Sequence, residues 1–275
     1  MTESLQYTLW LWTEGAFARR VMYQLLIKGL VTSPSHLLRG ETAVPNVKIV
    51  PVKLELGMGW VYPDGSERPP EAVSNPCMRV TNHDTGTSDF IYESTSIILL
   101  LEEKFSEHSM QPASGIARAR MMDMLGKINL IAIDTNYFLR NTVPEHGAAM
   151  GVDREHQSRL VALNARSCEL KGLLKIQEWA KENGLTETDG WLTPGIDGPG
   201  LVDVTLVSNH RFVELNYGID MLKDERLKTL AAWYGRFQRL PWWQGFEERE
   251  GIVPGVLENG RRSRAAWVHR EGLGI

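Results

Sequence analysis

Glu93 and Ser94 stand where a short aromatic stretch, Phe90-Ile91-Tyr92, gives way to a run of helical spacing. Ile97, Ile98, Leu100 and Leu101 are its apolar positions, and Glu102, Glu103 and Lys104 its polar ones. The first part has strand composition. The polar pair therefore marks a strand-to-helix junction. The first amides of a helix have no partner within it, and a serine can cap them. The same amides and hydroxyl can hold a carboxylate. The chemistry on offer is a small anion site between Tyr92 and Thr95. The alternative is a helix cap and nothing more.

Composition narrows the classes. A chain of 275 residues suits one large domain or two small ones. With 30 basic and 34 acidic residues, a formal charge of -4 draws it to neither nucleic acid nor an anionic membrane. Cys77 and Cys168 lie far apart and form no metal-ligand pattern. The opening MTESLQYTLW reads as no signal peptide, and no stretch reaches membrane-span length. The expectation is a cytoplasmic protein without a metal.

The elements that must position the pair follow in order. Tyr7–Trp12 reads as a strand buried on both faces. Thr13-Glu14-Gly15 breaks it, and a helix runs from about Ala16 to a stop at Gly29. Phe17, Val21 and Leu25 are its expected apolar face, with Arg19, Arg20, Gln24 and Lys28 largely elsewhere. Val47–Leu54 is a second strand candidate; Pro51 suggests an edge strand or one that starts late. Glu55–Ser74 is a Gly/Pro-rich insertion carrying Trp60 and Tyr62, either packed down or a lid. Met78–Val80, a turn at His83–Gly86, and Phe90–Tyr92 make a hairpin. The order β-α-β-insertion-β-β-α, without GxGxxG, predicts a mixed sheet with flanking helices rather than a dinucleotide fold.

After a linker at 106–113 the chain becomes helical. Helices are expected over Ala113–Arg140, Asp153–Asn183, Leu201–Tyr217 and Glu225–Leu240. Met121, Met122, Leu125, Ile128, Ile131 and Ile133 are apolar positions of the first, with Leu160, Leu163, Leu173 and Ile176 among those of the second. The domain limits are 1–105, with the insertion at 55–74, then 113–250 and a tail at 251–275. Arg261, Arg262, Arg264 and Trp267 belong to that tail.

Taken together, the chain resembles the cytosolic glutathione S-transferases, in their fungal, theta/zeta/omega-like branch. Four stretches carry the likeness: Leu9–Leu30 with Phe17-Ala18-Arg19-Arg20-Val21; Asn75-Pro76 followed by Val80; Tyr92-Glu93-Ser94-Thr95-Ser96-Ile97 with Leu101-Glu102; and Pro199-Gly200-Leu201-Val202-Asp203-Val204. The resemblance implies a thioredoxin-like N-terminal domain and a transferase-type helical C-terminal domain, in a homodimer. Glutathione would place its γ-glutamyl end at Glu93 and Ser94 and its backbone beside Val80 and Thr81. Trp12, Tyr137 and Phe138 would line a pocket for a small hydrophobic electrophile, or belong to the core. Asp203 would be structural.

Two positions depart from that pattern. Gly15 and Ala16 stand where the family has the serine or cysteine that activates the thiol. Thr13, Arg19, Arg20 or bare helix amides are the substitutes, while Glu14 would repel a thiolate. Thr81 stands where the resemblance places a cis-proline. The readings are a glutathione transferase, a glutathione-dependent isomerase or biosynthetic enzyme, and a non-catalytic relative.

Overall fold

The computed structural model describes residues 4–55 and 59–246. The expected tail, with Arg261, Arg262, Arg264 and Trp267, lies outside the described residues. Five strands form one sheet in the order β3-β2-β1-β4-β5. β1 (Leu5–Trp12) lies at its centre, parallel to β2 (Val47–Glu55) and antiparallel to β4 (Cys77–Asn82). The unbroken apolar run of β1 is explained by this place: Tyr7–Leu11 are all buried. β5 (Thr87–Ile91) returns beside β4 as the expected hairpin.

β2 is not an edge strand throughout. β3 (Gly59–Val61), inside the insertion, pairs with it over Lys53–Glu55. Pro51, which has no N–H to give, falls before that pairing begins. Most described residues of the insertion are exposed, but parts of it pack down. Tyr62 and Val73 lie against Trp10, Val50, Val52 and Cys77, and the Trp10 indole N–H donates to Glu67 O at 2.8 Å. Trp60 meets the Trp12 ring edge-on at 5.5 Å.

α1 (Ala16–Ile27) and α3 (Ser94–Lys104) pack together through polar groups. Val21 and Leu25 of α1 are buried as expected, but Phe17 is 48% exposed, and Arg19, Arg20, Gln24 and Lys28 are buried too. Three of the four meet α3 at successive turns. Arg20 Nη1 donates to Ser94 Oγ at 3.3 Å, Gln24 Nε2 to Ile98 O at 2.8 Å, and Lys28 Nζ to Glu102 Oε2 at 2.8 Å. The Glu102 carboxylate also accepts from Ser109 Oγ and Met110 N–H, and Lys28 donates to His108 O. α2 (Pro34–Leu38) is a short helix within the expected loop after α1.

Where the sequence suggests domains at 1–105 and 113–250, the compact units are discontinuous. Within the described residues, the first takes the chain through Gln111, Pro199–Ser208 and the stretch from Phe237 onward; the second takes Pro112–Gly198 and Asn209–Arg236. The second unit is built on α4 (Gly115–Arg140) and α6 (Arg159–Glu182), with α5 (Pro144–Ala149) in the expected loop. Met121, Leu125, Ile128 and Ile131 of α4 are buried as expected, but Met122 and Ile133 are exposed. Met124, Thr135, Phe138 and Leu139 complete the buried face. On α6 the buried face is made of small residues, Ala162, Ala165, Gly172 and Ala180, with Leu173 and Ile176; Leu160 and Leu163 are exposed. α7 (Leu201–Tyr217) and α8 (Lys228–Phe237) follow. No helix among the described residues is long and apolar enough to cross a membrane.

Candidate functional site

In the first unit, neighbouring strands end together. Trp12 closes β1 opposite Val52 of β2. Cys77, opposite Trp10, opens β4. Ser74 Oγ donates to Tyr92 O at 3.4 Å, so the exit of β5 runs beside the entry of β4. α1 and α3 begin at this same end, at Ala16 and Ser94. Helix N-termini bring partial positive charge there.

Asn75 locks the arrangement. Its Oδ1 accepts from Trp12 N–H at 2.5 Å, and its Nδ2 donates to Trp10 O at 3.2 Å. The Asn75–Pro76 peptide is the cis bond among the described residues. This corrects the placement of the family's cis-proline at Thr81. Val80 and Thr81 lie inside β4, paired on one side with Tyr7 and Gln6 and on the other with Asp89 and Ser88. Both edges of the strand are used, so no ligand backbone can be added beside them. Thr81 stands about 16 Å along the strand from Pro76, and its hydroxyl meets Ser88 Oγ at 3.0 Å.

Ser94 is not the cap of α3. Glu93 takes that position, without a side-chain capping bond, and the first intrahelical bond runs from Ile97 N–H to Glu93 O. Ser94 is the first helical residue, buried, with its oxygen turned to Arg20. Burial pushes the Arg20 guanidinium down to about 9, with Glu93 pulling the other way, so it stays charged at neutral pH. Its plane lies 4.9 Å from the exposed Phe17 ring. A buried cation, a buried hydroxyl, a helix N-terminus and an exposed carboxylate therefore share one spot. Such a set can hold a carboxylate and an ammonium together.

The β1–α1 loop is shaped by Trp12. A Cβ at Gly15 would lie 2.4 Å from Trp12 Cε3, so the indole occupies the space where an activating side chain would begin. Gly15 caps α1 in extended conformation with no side-chain bond. Thr13 is buried, its N–H donating to Val52 O at 3.4 Å. Burial raises the Glu14 carboxyl above its ordinary range, while the Trp12 side chain, Arg19 and Lys53 lower it in part. Arg19 itself is held among aromatics: Nη1 donates to Tyr23 OH at 2.9 Å and the guanidinium lies 5.3 Å from the Phe246 ring. Gly15→Ser is expected to destabilise the protein by about 1–3 kcal/mol through overpacking. Trp12→Ala/Gly15→Ser should recover part of that loss in chemical denaturation. A Gly15→Ser protein as stable as the parent would mean that the ring yields freely.

The structure thus brings Trp12, Thr13, Arg20, Glu93 and Ser94 to one end of the sheet. Tyr137 and Phe138 belong to the second unit and diverge: Tyr137 is 47% exposed, whereas Phe138, at 2%, is core. Phe138 is therefore removed from the candidate pocket. Asn75 was visible in the sequence only as a motif, because its role depends on Trp10 and Trp12, more than sixty residues earlier.

No protein-family profile matches the chain, and no curated protein matches it. Solved structures do. Maleylacetoacetate isomerase from Anaeromyxobacter dehalogenans, with glutathione bound in its active site, is 19% identical, with a TM-score of 0.55 over 92% of this chain and 100% of that one. A glutathione S-transferase from Methylobacterium radiotolerans, in complex with glutathione sulfonate, is 18% identical, with a TM-score of 0.54 over 90% of this chain and 97% of the other. The theta-class glutathione S-transferase of Xanthomonas axonopodis pv. citri is 12% identical, with a TM-score of 0.54 over 88% and 96%. The chain has the glutathione S-transferase fold, a thioredoxin-like part followed by a helical part.

Proposed function

We propose that the protein is a glutathione-dependent enzyme acting on a small hydrophobic electrophile. The observation that carries this reading is the buried Arg20–Ser94 pair at the N-terminus of α3, beside exposed Glu93. The γ-glutamyl carboxylate would accept from Ser94 and the first amides of α3 with Arg20 behind them, and its ammonium would meet Glu93. The thiol would lie toward the β1–α1 loop. There the amides at the start of α1 and the Thr13 hydroxyl favour the thiolate. The reading also takes the protein to be a cytoplasmic homodimer of the theta/zeta/omega-like branch. Exposed Met122, Leu130 and Ile133 on α4 are residues that a subunit contact would cover.

Isomerisation is favoured over transfer by the closed space at Gly15. Without an activating side chain there, a reversible thiol addition to a strongly activated alkene suits the site best. Glu14, raised by burial, can take the thiol proton and return it to the adduct. Isothermal titration with glutathione and S-hexyl-glutathione tests the common step. Both should bind, and Ser94→Ala should weaken glutathione about tenfold, as loss of one hydrogen bond to a charged group would. No binding of either by folded protein would overturn the reading.

A further inference from the structure

The insertion brings a second tryptophan to the β1–α1 loop. Trp12 closes β1 opposite Val52, and Leu54 lies two residues further along β2. Residues two apart share a face of the sheet, so Leu54 stands on the side of Trp12. Trp60 of β3 pairs with Leu54 and joins the same face. Its indole meets that of Trp12 edge-on, with ring centroids 5.5 Å apart and planes at 67°. The Trp12 ring also covers the point where a side chain at Gly15 would begin. One indole thus links Gly15, at the start of α1, to Trp60.

Burial sets this corner apart from its neighbours. Tyr62, two residues after Trp60, packs against Trp10, Val50, Val52 and Cys77. Trp60 and Leu54 are instead 37% and 45% exposed. Core packing does not account for two large apolar side chains left open to water as a cross-strand pair. They are contiguous with Trp12, and Glu14, which interacts with Trp12 and Lys53, puts charge at the margin. An aromatic surface with a polar rim has the composition of a ligand wall.

We propose that Trp60 is a specificity-determining wall of the second-substrate pocket, selecting electrophiles with a flat aromatic or conjugated body. This rests on the glutathione reading above: a thiol held toward the β1–α1 loop places the group attached to sulfur against Trp12, and Trp60 is the surface that continues it. Two indoles at 67° form a corner. A flat ring can stack on one of them while meeting the other edge-to-face, the two arrangements that aromatic rings prefer. A saturated body gains only the area it covers.

The test follows the indole N–H signals of the ¹⁵N-labelled full chain, with that of Trp60 assigned by its loss in Trp60→Phe. S-benzylglutathione should shift the Trp60 signal in the parent protein, and S-methylglutathione should leave it in place. In calorimetric titration, Trp60→Ala should weaken S-benzylglutathione about tenfold more than it weakens glutathione. The saturated counterpart, S-(cyclohexylmethyl)glutathione, should bind the parent more weakly than S-benzylglutathione does. Binding of S-benzylglutathione with the Trp60 signal unmoved overturns the wall and leaves the glutathione reading standing. Equal losses for glutathione and its benzyl conjugate in Trp60→Ala do the same, since Trp60 would then only buttress Trp12. Equal affinity of the parent for the flat and saturated conjugates overturns the preference for a flat body. No binding of any of these ligands overturns both readings. The spectrum of the parent decides the matter even where Trp60→Ala does not fold.

Discussion

Glu102→Leu should destabilise the protein by about 3–5 kcal/mol, the usual result of stripping one partner from a buried ion pair. The Lys28 and Glu102 side chains are 0% and 1% exposed and 2.8 Å apart. Removing the carboxylate leaves a buried ammonium in the α1–α3 seam that keeps its bond to His108 O but has lost its counter-charge. It also releases Ser109 Oγ and Met110 N–H, which both rest on Glu102 Oε1. The damage then travels along the chain, because Met110 O accepts from Leu201 N–H at the start of α7. Lys28→Met/Glu102→Leu should regain most of the loss, since an apolar pair of similar volume replaces a desolvated charge pair at little cost. A residual cost of about 1–2 kcal/mol should remain for the released linker groups. Urea denaturation of the parent and the two variants reads this directly. A single variant within about 1 kcal/mol of the parent would mean that water reaches Lys28.

Stability should also decline as the pH falls from 6.5 toward 4, and His146 should carry much of the decline. In the folded protein its imidazole is held at about 4 by burial and by Arg140, against an ordinary 6.5. Between those values the unfolded chain binds a proton that the native state refuses, so acid favours unfolding. The contribution is complete above the unfolded value and is lost as the pH drops to the folded one. The shift would amount to about 3.4 kcal/mol at full weight; with the ring partly open to solvent, about 2 kcal/mol is expected. His146→Gln should flatten the stability profile over this window. Some slope will persist, because burial also holds His210 below its ordinary value. A variant whose profile overlays that of the parent would remove His146 from the account.

Much of the fold was legible because its signals are local. The apolar run of β1, the hairpin at His83–Gly86, the helix stop at Gly29, and the extent of α7 are written in short windows. The α1–α3 seam was not, because Arg20, Gln24 and Lys28 find their partners 74 residues away. A periodicity reading takes such residues for a solvated face. The buried face of α6 was masked for a different reason: alanine and glycine carry little apolar signal, while exposed Leu160 and Leu163 carry much. At the site, Glu93-Ser94 was readable as a junction. The closure of Gly15 by the Trp12 ring was not, since adjacency in a loop says nothing about which way an indole turns. The proline misplacement has the same root: strand pairing, not the Asn-Pro dipeptide, decides where β4 begins.

The outer rim of β2 carries a further consequence. Before β3 joins it at Lys53, this strand has no strand neighbour on that side among the described residues. An open rim of this kind invites a strand from another molecule. Here the chain seals it in passing: Thr42 Oγ1 donates to Val47 O at 2.8 Å, and Gly40 approaches so closely that a Cβ would lie 2.6 Å from Ile49 O. Gly40 holds this place with φ at +76°, where a side chain would be strained. Pro51 supplies no donor to continue a ladder, and Lys48 sets an exposed charge on the same strand. The connection between α2 and β2 therefore guards the protein against edge-to-edge aggregation, a solubility function lodged in a stretch that takes no part in ligand chemistry.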